Sequence, residues 1–538
     1  MIAKHYAPHE YQREAARFQL DRQLAGEPGA GFFLDPGLGK TSIAMMAFKA
    51  LRVAGLARKA LILAPKRVVN SVWKQEGAKW SQFRDLRIEI CNGNPVQRID
   101  RLRKKTTDVS VICTDSVDWL VRYWLGIAAE EKPTREICGL LRRMKLPEMA
   151  AEVSTCGVWP ALTGWRDASG QKHRGLLPSR LFTFCKHLDL RIPAEYTDLI
   201  VDESSMYKSP GSNRFQSLSA ISNQFERVSI LTGTPSPNGL VDLWSQIYLL
   251  DRGEALGSSF SRFKARYYQH SNDFRAKPIL KPGAAEEIHE AISHLVIRLS
   301  ADDHLDLPDL VVNDIWIDLP KRVQTKYKKL ERDLFVELET SDGSVLFDNS
   351  CAKYCACRGF ANGGIYETLE ETDERLTHHF HEEKIGPLKE LIGELQGKPL
   401  MIAYPYQHDL ERIKKHYPDI PAINGSTSDK EGDRLVDAWN AGDLPLLAVQ
   451  PASLSHGVNM QSSGLDMCWF GLTDNLEHYL QLIRRIHRQG VRGQVRIHRI
   501  LARHTVDEAV AERLDEKDGV QQSLLDALNN YRKREGLK

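Results

Sequence analysis

Short apolar runs alternate along this chain with amphipathic helical stretches, the pattern of strand–helix–strand units that build a parallel sheet. In the first half the runs fall at 60–64, 109–114, 199–202 and 228–232. Each ends in a small or polar residue, which belongs at the carboxyl edge of a sheet, where open α/β folds bind ligands. A second set follows at 399–403, 422–424, 446–450, 467–470 and 495–500. Two sets predict an α/β protein of two parallel-sheet lobes.

Two stretches break this rhythm. Residues 122–195 carry aromatic residues, two cysteines beyond Cys138 and a Gly/Ser-rich turn near 164–175. A structureless loop of that length is uncommon, so a folded insertion in the first lobe is expected. Residues 256–380 are dominated by charged amphipathic helices such as 321–339, with a turn at Leu305-Asp306-Leu307-Pro308, and read as a helical linker or protrusion. The predicted division is 1–255 for lobe one, 256–380 for the linker, 381–515 for lobe two and 516–538 for a helical tail.

The most informative chemistry lies where the run Gly31-Phe32-Phe33-Leu34 enters Asp35-Pro36-Gly37-Leu38-Gly39-Lys40-Thr41, followed by a good helix. Glycines let successive backbone N–H groups curl around a phosphate, and a helix N-terminus adds partial positive charge. Lys40 is placed to reach β- and γ-phosphates, and the Thr41 hydroxyl to ligate Mg²⁺. The full phosphate-loop pattern has glycine where this chain has Leu34.

Downstream, Leu199-Ile200-Val201-Asp202-Glu203 delivers adjacent carboxylates to a strand end. Cleaving a phosphoanhydride requires one carboxylate to hold Mg²⁺ and another to orient the attacking water. Asp202 suits the first role and Glu203 the second. Thr232-Gly233-Thr234-Pro235 ends another strand. Far away, Gln481 to Gly490 contains Arg485 and Arg488, three apart and expected on one helical face, where they can neutralise charge developing on a γ-phosphate.

Composition narrows the class further. The 538 residues suffice for several domains, and 42% hydrophobic with 27% charged residues is ordinary for a soluble globular protein. The net charge of +2 announces no global polyanion partner. An odd, scattered set of nine cysteines fits a reducing compartment. No apolar run is long enough to span a membrane, and Met1 to Glu10 do not resemble a signal peptide. Cys351, Cys355 and Cys357 with His378, His379 and His381 raise a zinc reading, but their spacing matches no usual knuckle. The same holds for Cys138, Cys156, Cys185 and His173. Lys264, Arg266, Tyr267 and Tyr268 interleave basic and aromatic residues, as a nucleic-acid path or a packed helix would. Lys321–Lys329 reads as a solvated helix face.

In order, these motifs resemble a superfamily-two helicase core, most closely the Swi/Snf-type DNA translocases in the compact form carried by bacteriophages and prophages. The resemblance spans about residues 8 to 515 and rests on motif order. His9-Glu10-Tyr11-Gln12 resembles the adenine-reading Gln motif. Ala64-Pro65-Lys66 with Trp73 and Glu76 resembles motif Ia, and Thr114-Asp115 motif Ib. Ile402-Ala403-Tyr404 is similar to motif IV and Ser453 to Gln461 to motif V. Val491 and Ser455 depart from the family's usual glutamine and glycine, which touches coupling rather than the ATPase.

The resemblance implies two RecA-like lobes and an ATP hydrolase using Mg²⁺ held through Thr41 and Asp202. Nucleotide would meet Tyr11, Gln12, Asp35, Gly37, Leu38, Gly39, Lys40, Thr41, Ser42, Gly457 and Asn459. Nucleic-acid contact or coupling would fall to Pro65, Lys66, Thr114, Thr232, Gly233, Thr234, Tyr404, Ser453 and Gln481. The implied partner is duplex DNA held through phosphates by a monomer. Phage or host replication and recombination proteins are further implied partners, with the bacterial host cytoplasm as the setting. A strand-separating or annealing DNA/RNA helicase is the alternative reading, and an ATP-dependent clamp or scaffold is one from another class.

Overall fold

The computed structural model describes residues 7–166, 170–269, 279–305, 307–333, 335–337, 344–346, 350–368, 375–454, 460–488, 491 and 493–516. The chain forms two compact units that divide between His304 and Leu305. Each is built on its own parallel sheet, as the two sets of apolar runs predict.

The first unit contains β1 (Gly29–Leu34), β2 (Lys59–Ala64), β3 (Ile88–Ile90), β4 (Val109–Cys113), β5 (Tyr196–Asp202), β6 (Arg227–Thr232) and β7 (Val296–Leu299). Their order is β3-β4-β2-β5-β6-β1-β7, with every pairing parallel. The central strands β1, β2, β5 and β6 are buried along their whole length. Strands covered on both faces read as continuous apolar runs, which is why they were visible in the sequence. The register sets Phe33 beside Thr232 and Leu231 beside Asp202. The chemistry-bearing ends of β1, β5 and β6 therefore share one sheet edge.

The described residues of 122–195 are folded. Helices Val117–Glu130, Thr134–Arg143, Pro147–Cys156, Val158–Thr163 and Pro178–Leu188 surround a short hairpin of Gly164–Arg166 with Lys172–Arg174. Their Trp124, Leu140, Leu162 and Phe184 are buried in one cluster with Leu61 of β2 and Leu199 of β5. The segment thus extends the core of the first unit. Close approach explains Gly126: a Cβ there would lie 2.6 Å from the Trp159 ring.

The second unit contains β8 (Leu310–Ile317), β9 (Leu400–Ala403), β10 (Ala422–Ile423), β11 (Leu446–Val449), β12 (Asp466–Trp469) and β13 (Val495–Ala502). The order is β8-β13-β12-β9-β11-β10, again all parallel. Between β8 and β9 lie the helices Lys321–Asp333 and Ser350–Asn362 and a hairpin of Gly364–Thr368 with Arg375–His379. The stretch 256–380, read from sequence as a helical linker, therefore supplies a strand to each sheet: β7 to the first, β8 to the second. Strand β8 is an edge with mostly part-exposed positions, Val312 among them at 46%. It lacks the apolar signature of the central strands.

A buried polar network ties the end of the Ser350–Asn362 helix to the helix Gln407–His416 and to Asp507. Lys384 is fully buried and donates to Asn362 Oδ1 at 2.8 Å and to Asp507 Oδ2 at 2.7 Å. Asn362 Nδ2 in turn donates to Asp409 Oδ2 at 3.1 Å, and Arg412 pairs with Asp409 Oδ1 at 2.6 Å. Residues 506–516, spanning the end of lobe two and the start of the predicted tail, are helical, and Val506 N donates to the buried Tyr327 hydroxyl at 2.7 Å. The rest of the predicted tail lies outside the described residues.

Candidate active site

The loop after β1 adopts the backbone that its glycines permit. Gly37 and Gly39 have φ of 98° and 81°, a region that side-chain-bearing residues avoid. Gly39 is the N-cap of the helix Lys40–Val53, so the first N–H groups of that helix open toward the loop. A Cβ on Gly39 would lie 2.5 Å from Gln12 Nε2. Gln12 is buried; its Nε2 donates to Leu38 O at 3.0 Å and its Oε1 accepts from His9 N at 3.0 Å. The Gln motif is thereby locked onto the glycine loop. Lys40 Nζ donates to Leu34 O at 3.1 Å, across the mouth of the loop.

Tyr11 stacks on His304 with ring centroids 4.7 Å apart, and on His9 at 5.4 Å. Asp35 faces another partner: its Oδ2 accepts from Ala301 N at 3.0 Å. Asp35 thus ties the loop to the chain leaving β7.

Asp202 ends β5 and is almost wholly buried. Its Oδ2 accepts from the Trp73 indole at 3.1 Å and its Oδ1 from Glu203 N at 3.1 Å. Burial, then the charge of Glu203, push its pKa up to about 7, against the opposing pull of Lys40 and the Trp73 N–H. Glu203 sits in the left-handed region at φ 53°, unusual for a side chain of its size. Such strain at a strand end is typical of functional loops. After β6, Thr232 Oγ1 accepts from Thr234 N at 3.1 Å. Gly233 passes so close to the phosphate loop that a Cβ would lie 3.0 Å from Pro36 Cδ.

The remaining first-unit residues are dispersed around this edge. Pro65 caps the helix Lys66–Lys79, Lys66 is exposed, and Thr114 is fully buried. Ser42 is buried in the first turn after the loop, with Thr41 beside it half-buried. In the second unit Tyr404 is fully buried, Ser453 N donates to Gln450 O, and Gln481 Nε2 donates to Glu477 Oε1 at 3.3 Å. Gly457 and Asn459 lie outside the described residues. Arg485 is buried on the helix Leu476–Ile486. Arg488 falls beyond that helix, so the two arginines do not share a helical face. The helix stops because His487 leaves helical geometry at φ −92°, ψ 88°, and its ring bonds Pro308 O at 2.8 Å.

Other sequence signals resolve as packing. Tyr267 and Tyr268 are buried in the first core, while Arg266 lies over the Tyr267 ring and pairs with Glu287. His173 stacks on Trp165, His378 bonds Glu367, and His381 bonds Phe360 O. Among the described residues no group of three or more His, Cys, Asp or Glu is placed to hold a metal ion.

Sequence reasoning passed over Gln246 and His304. Gln246 was legible only as a lone amide in the apolar helix Leu243–Asp251, and His304 gave no signal.

Comparison with known proteins shows which family the chain is similar to. The SNF2-related domain model matches residues 11–356. Protein p41 of the Acyrthosiphon pisum secondary endosymbiont phage 1 is 30% identical over 98% of this chain and 99% of its own length. The CHD3-type chromatin-remodeling factor PICKLE of Arabidopsis thaliana is 23% identical over 60% of this chain but only 23% of its own. Among solved structures, the Sulfolobus solfataricus SWI2/SNF2 ATPase core in complex with dsDNA matches 98% of this chain and 97% of that one. Its identity is 17% and its TM-score 0.39.

The chain belongs to the SNF2-related domain family. At the level of that family it is an ATP-dependent motor ATPase. No helix among the described residues is long and apolar enough to cross a membrane.

Proposed function

We propose that the protein hydrolyses ATP to move along duplex DNA and to remodel DNA or protein–DNA complexes. The observation that carries this reading is the shared sheet edge of the glycine loop and the Asp202–Glu203 pair. A buried Asp202 followed by a part-buried Glu203 with a left-handed backbone, beside a left-handed glycine loop, is a costly arrangement for structure alone. It suits a site that binds a phosphate chain and a cation together.

The donor set fits Mg²⁺. Thr41 offers a hydroxyl, and Asp202 offers a buried carboxylate whose pKa is raised by burial and then by the neighbouring charge of Glu203. A Mg²⁺ ion there would be held by Thr41 and Asp202 and would supply charge neutralisation of the phosphates. The chain supplies the rest. Loop N–H groups and Lys40 bind the phosphates, Gln12 and Tyr11 hold the base, and Glu203 orients the attacking water and takes its proton. We assign to Arg485 and Arg488 the charge that stabilises the γ-phosphoryl group in transfer.

Pro65, Lys66, Thr114, Thr232, Gly233, Thr234, Tyr404, Ser453 and Gln481 are proposed to track the polymer or couple it to the nucleotide. A chromatin-remodeling factor among the relatives favours DNA over RNA as that polymer. Contacts through phosphates carry little sequence preference and fall steeply with salt.

Steady-state ATPase rates without polymer and with duplex DNA, single-stranded DNA or RNA test this reading. Strong stimulation by duplex supports it. Stimulation by single strands or RNA alone replaces it with the strand-separating helicase. No ATP turnover under any condition overturns it.

A further inference from the structure

We infer that Gln246 is a positioning residue that sets Glu203 by locking the acidic loop to the Thr-Gly-Thr-Pro loop. The inference rests on the ATPase reading and adds a residue to it. Gln246 and Ser204 are both fully buried. The Ser204 hydroxyl donates to Gln246 Oε1 at 2.7 Å. The amide nitrogen of Gln246 spends both its hydrogens, on Pro235 O at 2.7 Å and on Asp242 O at 2.9 Å. Asp242 closes the far side of the same loop, its Oδ2 accepting from Asn238 N at 2.9 Å. One side chain thus joins the residue following Glu203 to both ends of the segment after β6.

The chemistry of an amide makes this junction specific. It presents an acceptor on one side and two donors on the other, and here each meets its complement. A carboxylate in its place has no donor for the two carbonyls. A thioether leaves the Ser204 hydroxyl and both carbonyls without their bonds in a buried place, at a cost set by desolvation. Glu203 carries a left-handed backbone at φ 53°, and the hydrogen-bonded Ser204 follows it directly in the chain. The orientation of the Glu203 carboxylate, which its proposed role needs, is therefore set partly by an anchor one residue away. The same anchor connects the Thr-Gly-Thr-Pro loop to Glu203 through two buried side chains, Gln246 and Ser204.

The test compares Gln246→Met and Gln246→Glu with the wild-type full chain. The readouts are DNA-stimulated kcat, KM for ATP, the pH profile and the thermal midpoint. Gln246→Met is expected to lower kcat by about 10- to 100-fold with KM for ATP nearly unchanged, since the phosphate loop is untouched. Gln246→Glu is expected to gain a pH limb that the wild type lacks. Protonated, the new carboxyl can still donate to one carbonyl; ionised, it cannot, so kcat falls as pH rises through its titration. Ser204→Ala combined with Gln246→Met should cost scarcely more than either alone. Folded Gln246→Met with wild-type kcat, or a Gln246→Glu profile identical to wild type, would overturn the inference. A wild type without ATP turnover would instead remove the ATPase reading on which it rests.

Discussion

The Trp73 indole N–H donates to Asp202 Oδ2 at 3.1 Å, with both side chains buried. The bond crosses from the helix after β2 to the end of β5, so a residue outside the phosphate loop aims the carboxylate assigned to the cation. Trp73→Phe keeps an aromatic ring but removes the donor. The carboxylate loses one of the groups that favour its charged form, and its pKa rises further. The expected result is weaker Mg²⁺ activation, by about tenfold, in ATPase titrations at neutral pH.

In the wild type, apparent affinity for Mg²⁺ should fall with acidity. Burial and the charge of Glu203 push the Asp202 pKa up to about 7, so above that pH the carboxylate is ready to bind. Below it a proton must leave first, and affinity drops by up to about tenfold per pH unit. Calorimetric Mg²⁺ titrations in the presence of a non-hydrolysable nucleotide between pH 6 and 8 measure this slope. A flat profile contradicts the placement of the ion at Asp202.

Lys40→Ala and Glu203→Gln are each expected to abolish turnover, by different routes. Without Lys40 the phosphates lose their cation and nucleotide binding weakens. Glu203→Gln keeps the shape of the site and still binds ATP, because the lost carboxylate serves the water rather than the phosphate. Fluorescent-nucleotide binding set beside turnover separates the two. Wild-type turnover by Glu203→Gln sinks the role given to Glu203.

How much was legible in advance varied with the physics. Central strands buried on both faces stand out as apolar runs, so β2, β4, β5 and β6 were readable. The edge strand β8 was not, because a half-exposed edge mixes polar and apolar positions. Lys40, Asp202 and Glu203 were readable because phosphate chemistry fixes residue type and spacing. Gln246 was hidden because its meaning depends on which carbonyls the fold brings to it. The pairing of Arg485 with Arg488 failed as geometry because spacing alone does not show where a helix ends, and this one ends at Ile486.

Lys384 should matter to stability although it lies outside the proposed chemistry. Its ammonium is fully buried between Asn362 and Asp507. Lys384→Met leaves Asp507 buried without its counter-charge, which costs on the order of 3 kcal/mol. Denaturant unfolding of the variant measures it; a loss below about 1 kcal/mol contradicts this account.

Acid should loosen the second unit at Asp466. Burial alone would raise this carboxyl, but hydrogen bonds from Arg496, at 2.7 and 2.8 Å, and from His498 outweigh it and hold the pKa down to about 2. A lowered folded-state pKa gives stability that is present above the ordinary carboxylate range near 4 and lost as pH falls toward 2. The contribution is about 2 kcal/mol. Asp466→Asn should remove that part of the acid dependence of unfolding and lower stability at neutral pH.

The central claim is movement along duplex DNA driven by ATP. Displacement of a third strand from a triplex tests it most directly, because a motor that tracks one duplex strips the strand without unwinding the duplex itself. The account predicts ATP- and Mg²⁺-dependent release by the wild type and none by Glu203→Gln. Duplex-stimulated ATP hydrolysis with no triplex release in the wild type would contradict it.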